Sequence, residues 1–438
     1  MKFHFLLFFF VASFGVLPAQ FIHDVNQSVK VSAEVTNDPP TITVNWIADP
    51  GVVSYDFYRR RYGDTTWGTK IASYPPEVTQ YIDTEVAPQT LYEYKIEKFL
   101  EDVEGYGYVL SAIERPAVHY HGEVLLLITE ETLAEVIPEL NEYRAVLETD
   151  GWTSQLLTVN QSQTPGEVKA AIVAAHTARP FTAIFILGDV PVPHSGDINP
   201  DAHTNHKGAW SADVYYGDLD GVWTDTEVNN TSAATPVNHN VPGDGNWDQS
   251  YLPSDVEVAV GRADFSDLPV FTEDEYELLK KYLRKDIDFR TVQFAVNRQA
   301  AMRNTNPWIG GLGQNGIRNF SPLVSPENIS YDTWNPVFDD SYLWYYGSGG
   351  GSQTSAVQLG NSQVYANSDF KAIFTAWFGS YFGDYDFPDN YMRSVLASGN
   401  VLSSVWAGAP HWHFHAMAMG FPLAHAFFND TATTEIYT

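Results

Sequence analysis

The sequence predicts a multidomain chain, with an all-β sandwich followed by an α/β unit whose mostly parallel sheet carries helices on both faces. Two patterns carry this expectation. Residues 28–118 are short alternating runs separated by turn clusters, whereas from Glu123 continuous apolar runs alternate with segments of helical spacing. Composition agrees: 44% hydrophobic and 18% charged residues suit a globular chain with buried cores and not a disordered one.

The first nineteen residues read as an export signal: Lys2 supplies the positive start, Phe5 to Val16 an apolar run, and Pro18-Ala19-Gln20 a small-residue cleavage point. That run is too short to span a bilayer, and no later stretch is apolar for the ~18 residues a span needs. A secreted or cell-surface protein without a transmembrane segment in the mature chain is therefore expected. Export normally makes disulfides available, yet the chain contains no cysteine and must rely on its cores. A formal charge of −30 argues against nucleic acid or an anionic membrane as partner.

In residues 28–118, Val29 to Val35 and Thr41 to Trp46 alternate strictly, as do Ser54 to Arg60 and Tyr92 to Lys98. The clusters Asn37-Asp-Pro-Pro40, Asp49-Pro-Gly51 and Ala87-Pro-Gln89 mark the turns between them. The Trp of the second strand, the Tyr-rich third strand and the pair Tyr92 and Tyr94 resemble a fibronectin type III module. A tyrosine hydroxyl ties the corner of such a sandwich. The module is expected to be an accessory unit without chemistry.

The α/β unit, residues 123–428, opens with the apolar run Glu123 to Thr129, a strand covered on both faces. Glu131 to Leu147 has helical spacing, Ser154 to Val159 is a second strand, and Thr164-Pro-Gly-Glu167 is a capping box that starts a second helix. Thr182 to Leu187 is a third strand, ending at Gly188-Asp189. In such folds the functional groups lie beyond the carboxyl ends of strands. The polar loop from Val190 to about Asp255, with His194, His203 and His206, is longer than a loop without a function or a bound ion. Asp255 to Arg262 returns as a strand and Thr272 to Arg290 as a helix, acidic early and basic late as its dipole favours. Tyr342–Tyr346, Ala372–Trp377 and Val401–Ala407 complete the apolar runs. Residues 429–438 lack periodicity and are expected to be a non-native or truncated tail.

Several strings in this unit occur in an order that resembles the gingipain family of secreted cysteine peptidases, of caspase-haemoglobinase fold. They are the Leu-Leu-Leu-Ile-Thr opening ending at Thr129, the Ile-Leu-Gly-Asp end at Asp189, and Ser211-Ala-Asp-Val-Tyr-Tyr-Gly-Asp-Leu-Asp-Gly221. Pro253 to Arg262 and Tyr345-Tyr-Gly-Ser-Gly349 extend the series. The resemblance implies a catalytic histidine in a Gly-His-Gly turn and a nucleophilic cysteine at the next strand end. This chain has Ser348 in the first place and Trp377 in the second. Acyl transfer needs an activated nucleophile and a base, and neither replacement supplies one. The expectation is a catalytically degenerate homologue, a pseudoenzyme that requires no cofactor and binds a peptide, protein or glycan at the cell surface.

Alternatives remain open on the residues. Ser348 or Ser380 could act as a nucleophile with His411, His413 or His415 as base and Asp384 as orienting acid. His411, His413 and His415 alternate, which puts three imidazoles on one side of an extended segment, a face for a transition metal. Asp384, His411, Trp412 and His413 form a candidate ligand rim. Rings such as Trp344, Trp377 and Trp406 beside it either stack on a sugar or peptide or fill the old cavity. Asp218, Asp220 and Asp225 suggest a structural calcium loop.

Overall fold

The structure, a computed structural model, describes residues 24–115, 119–306, 311–406 and 413–423. Seven strands make the N-terminal unit: β1 Val31–Asn37, β2 Pro40–Trp46, β3 Ser54–Arg61, β4 Ala72–Tyr74, β5 Gln80–Asp83, β6 Tyr92–Phe99 and β7 Glu104–Ser111. They pair as a three-stranded sheet, β1-β2-β5, and a four-stranded sheet, β4-β3-β6-β7, with every ladder antiparallel. Alternation places Ile42, Val44 and Trp46 of one sheet against Tyr55, Phe57, Tyr94 and Ile96 of the other. The Trp46 ring lies 5.6 Å from Tyr55 and 6.2 Å from Phe57. The Tyr92 hydroxyl accepts from the Ala87 N–H and ties that corner. Inside the sandwich the buried Asp83 accepts from Arg59 and from the Tyr94 hydroxyl, which satisfies a carboxylate that burial would otherwise penalise.

The second unit begins with β8 Gly122–Thr129, α1 Glu130–Thr149, β9 Trp152–Val159, α2 Pro165–Ala178 and β10 Ala183–Leu187. The predicted capping box starts α2, with Thr164 and Glu167 exchanging hydrogen bonds. A hairpin of β11 His194–Ile198 and β12 Gly208–Ser211 leads through a long loop to β13 Ala259–Ala263 and α3 Glu275–Arg290. Next come β14 Ala300–Asn304, α4 Leu312–Val324, β15 Ile329–Tyr331 and β16 Tyr342–Ser348. A small hairpin, β17 Gly351–Ser352 and β18 Ser355–Ala356, precedes β19 Ala372–Phe378, α5 Tyr391–Ala397 and β20 Ser403–Trp406.

These strands form two parallel sheets, ordered β13-β10-β8-β9 and β15-β14-β16-β19-β20, where the sequence suggested one. An apolar strand encodes burial on both faces but not which strand lies beside it, so the division was invisible in the pattern. On the first sheet Leu126 and Ile128 face α1 and α3, while Leu125 and Leu127 face α2. On the second, Met302, Trp344 and Tyr346 face α4, while Ala301, Tyr345 and Trp377 face the larger core. Helix α4 lies in a segment for which the sequence predicted no element. Gly316 is there for close approach: a Cβ on it would sit 2.9 Å from Tyr346 Cδ1.

The sandwich is docked against the α/β unit through Glu93, whose carboxylate lies 2.6 Å from His415 Nε2 and also pairs with Arg60. Burial alone would raise the Glu93 pKa, but its interactions with His415 and Arg60 hold it at about 2. Tyr108 stacks on His415, and His413 meets the same ring edge-on. Asn304 donates to Asp24 at 3.1 Å. Among the described residues, no helix is long and apolar enough to cross a membrane.

Candidate functional site

Strands β16 and β19 are hydrogen-bonded neighbours, in a register that sets Gly347 beside Trp377 and Ser348 beside Phe378. The two places where the family resemblance implies a dyad, Ser348 and Trp377, therefore lie on neighbouring strands at the carboxyl edge of the second sheet, one position out of register and on opposite faces. Both are closed. Trp377 is fully buried, packed among Tyr345, Tyr365, Phe370 and Tyr391, and its indole N–H donates to Thr375 Oγ1 at 2.8 Å. Only glycine fits at 347, because a Cβ there would lie 2.4 Å from Trp377 Cζ3. Ser348 is also fully buried, and no histidine or carboxylate among the described residues bonds its hydroxyl. Trp344 is interior too, so it and Trp377 fill the edge and offer no stacking platform to a sugar.

The turn after β19 is held by the long loop that follows β10. Asp384, expected on a ligand rim, is instead buried and accepts from Asn238 Nδ2 at 2.7 Å. Asp386 lies 3.0 Å from His194 Nε2 and accepts from Ser211 Oγ at 2.8 Å. His194 Nδ1 faces the Ala209 carbonyl, so both ring nitrogens meet acceptors and the imidazole is held as a cation. Burial opposes that charge, but the Asp386 carboxylate more than offsets it and raises the His194 pKa. For Asp384, burial and the nearby Asp386 charge outweigh the Asn238 hydrogen bond and push its pKa to about 7. An unfolded aspartate titrates near ~3.9. Between those values the native state binds the extra proton, so stability present below pH ~4 declines as pH rises toward 7. Asp384→Asn is expected to flatten that decline in urea unfolding followed from pH 4 to 8; an unchanged slope would contradict it.

The remaining rim residues do not join this turn. His413 sits against Tyr108 of the sandwich and His415 pairs with Glu93, so neither serves a serine or a metal with Asp384. His411 and Trp412 lie outside the described residues. Ser380 meets a histidine that sequence spacing did not assign to it: its Oγ lies 3.1 Å from His203 Nδ1. Asp201 approaches the same nitrogen, at 3.7 Å. A relay needs the serine and the acid on opposite ring nitrogens, so the contact does not assemble a nucleophile triad.

Two groups bring three metal-capable atoms within 4.8 Å of one another: Asp201, His203 and His206, and Asp218, Asp220 and Glu257. The second contains two of the three predicted calcium ligands. Asp225 is not with them; it accepts from the Gly243 and Gly245 N–H groups and shapes a turn. Asp218 already accepts from Gly221 N, Trp223 Nε1 and Ser254 Oγ. Lys169 packs on the Tyr215 and Trp223 rings; burial lowers its pKa, and the charges of Asp218, Glu257 and Asp220 offset that only in part.

A cavity of about 380 Å³ lies away from these strand ends, between the edge strands β13 and β20. Its wall is mostly apolar, with Val260, Leu402, Val405 and Trp406 beside Arg262 and Arg393.

No protein-family model matches the chain, and no curated protein matches it. Among solved structures, a Fn3-like protein from Clostridium thermocellum is similar at 27% identity, over 21% of this chain and 97% of that one, with a TM-score of 0.17. The fn3 domain of human collagen alpha-1(XX) chain is similar at 14% identity over 22% and 91%, with a TM-score of 0.18. Pectate lyase PelI from Erwinia chrysanthemi, in complex with tetragalacturonic acid, is similar at 13% identity over 24% of this chain, with a TM-score of 0.18. The match spans about a third (34%) of that lyase's length.

Proposed function

We propose that the protein is an exported, catalytically degenerate relative of the gingipain-like cysteine peptidases that works as a binding or assembly component at the cell surface. The observation that carries this reading is the burial of both Ser348 and Trp377. They lie on neighbouring strands, one position out of register and on opposite faces of the sheet, where the resemblance implies histidine and cysteine, in a chain that has no cysteine. Two coupled replacements with a ring packed into the nucleophile's place favour loss of chemistry over its conversion. Export is supported by Lys2 and the apolar run Phe5 to Val16. Binding needs no cofactor in this reading.

A peptide is favoured over a glycan as the ligand. Trp344 and Trp377 are interior, whereas the cavity between β13 and β20, whose wall includes Trp406, is flanked by two strand edges without a neighbouring strand among the described residues. Such edges take an extended peptide through main-chain hydrogen bonds. The test is an array of extended peptides probed with the untagged chain, alongside a fluorophosphonate probe. Retained, uncleaved peptide and an unlabelled Ser380 are expected. Label on Ser380 would overturn the loss of catalysis, and an array without signal would overturn the binding role.

A further inference from the structure

We propose that Asp201, His203 and His206, with the Ser380 hydroxyl as a fourth donor, form a binding site for a zinc-class divalent ion that ties the long loop to the turn after β19. Two imidazoles and one carboxylate are donors that borderline ions such as zinc accept, with the hydroxyl in the position a water takes in an open site. Calcium, which seeks six or more oxygens, is poorly served by them. The chain offers no thiolate, so a soft-metal site is excluded.

The geometry lies close to what such an ion needs. Bonds of about 2.0–2.2 Å in a tetrahedron set the donors about 3.3–3.6 Å apart. His206 Nδ1 is 2.6 Å from Asp201 Oδ2, His203 Nδ1 is 3.7 Å from the same oxygen, and Ser380 Oγ is 3.1 Å from His203 Nδ1. These separations bracket the tetrahedral edge; the His203 pairs need shifts of a few tenths of an ångström, and the His206–Asp201 pair must open by about 0.7 Å to seat the ion.

The supporting contacts are those of a built site. The Asp201 side chain is fully buried, its Oδ1 accepting from the His203 N–H and its Oδ2 from the Tyr381 N–H. The His206 ring packs 3.9 Å from Tyr381, and the His206 carbonyl accepts from Trp210 Nε1. Neighbours of this kind orient ligands around a metal. Spacing adds to it, because Asp201, His203 and His206 come from one short stretch that ends in the single turn Thr204–His206. His203 is about half exposed (54%), which leaves an entry path and one side of the ion open to water or a ligand donor. When the ion binds His206 Nδ1, the hydrogen bond from that atom to Asp201 Oδ2 is given up and the neutral ring carries its hydrogen on Nε2.

The test uses the purified, untagged full chain, stripped with a chelator and titrated with zinc chloride by calorimetry. One equivalent is expected to bind, with cobalt(II) giving the visible absorption of a four-coordinate ion. His203→Ala and His206→Ala should each weaken zinc at least tenfold, and His239→Ala, from the same loop but outside the cluster, should not. Because His203 is half exposed, its alanine variant is expected to fold, as thermal unfolding of the stripped protein would check. Absence of stoichiometric zinc, or zinc binding indifferent to both His203→Ala and His206→Ala, would overturn the site.

Discussion

Trp377→Ala is expected to lower the unfolding free energy by about 3–5 kcal/mol, the range for emptying a fully buried aromatic site. The estimate sits at the upper end because Trp377 touches four other buried rings, so little can collapse into the space. Its hydrogen bond to Thr375 Oγ1 is lost as well. A functional indole, held in place to meet a ligand, would behave differently: its removal would cost binding and leave stability nearly unchanged. Urea unfolding distinguishes the two. A change below about 1 kcal/mol would mean that Trp377 is not the plug described here, and Gly347→Ala, which drives a methyl into the ring, should destabilise in parallel.

Asp213→Ala should cost about as much, roughly 3–5 kcal/mol, through a different mechanism. Arg262 lies on β13 with only 6% of its side chain exposed and bonds Asp213 through two nitrogens, at 2.7 and 2.8 Å. A third bond runs to the Val190 carbonyl, so this guanidinium fastens the root of the long loop to the sheet edge. Removing Asp213 leaves a buried cation with weaker compensation from Asp264, 3.6 Å away. The double variant Asp213→Leu with Arg262→Met removes both charges and should recover most of the loss. If the single change is as mild as an exposed pair, about 0–1 kcal/mol, the buried geometry is wrong.

Much of this was legible in the sequence, and the particular residues explain what was not. Alternation at Ile42, Val44 and Trp46 encodes a sandwich face directly, and Thr164 with Glu167 encodes the start of a helix. Both are signals between neighbours in the chain. The site depends on partners that are not neighbours. His194 meets Asp386 across 192 positions, and Glu93 meets His415 across 322. The alternating histidines at 411, 413 and 415 looked like one face, but His413 and His415 belong to the contact with the sandwich. Asp384 looked like a rim carboxylate because acidic residues are usually exposed; here Asn238 takes it into the interior. The cluster of Asp201, His203 and His206 did carry a signal, a short Asp-x-His-x-x-His spacing inside an unusually long loop. Its fourth donor, Ser380, lies 177 positions from His203 and could come only from the fold.

The most direct measurement is peptide-bond cleavage by the purified chain on a mixed peptide library, read as new termini by mass spectrometry, with and without added zinc. With Ser348 and Trp377 buried at the positions where the proposed family resemblance implies a base and a nucleophile, the account predicts no new termini above those formed by a Ser380→Ala control. New termini that follow the protein through every purification step and disappear in that control would contradict it.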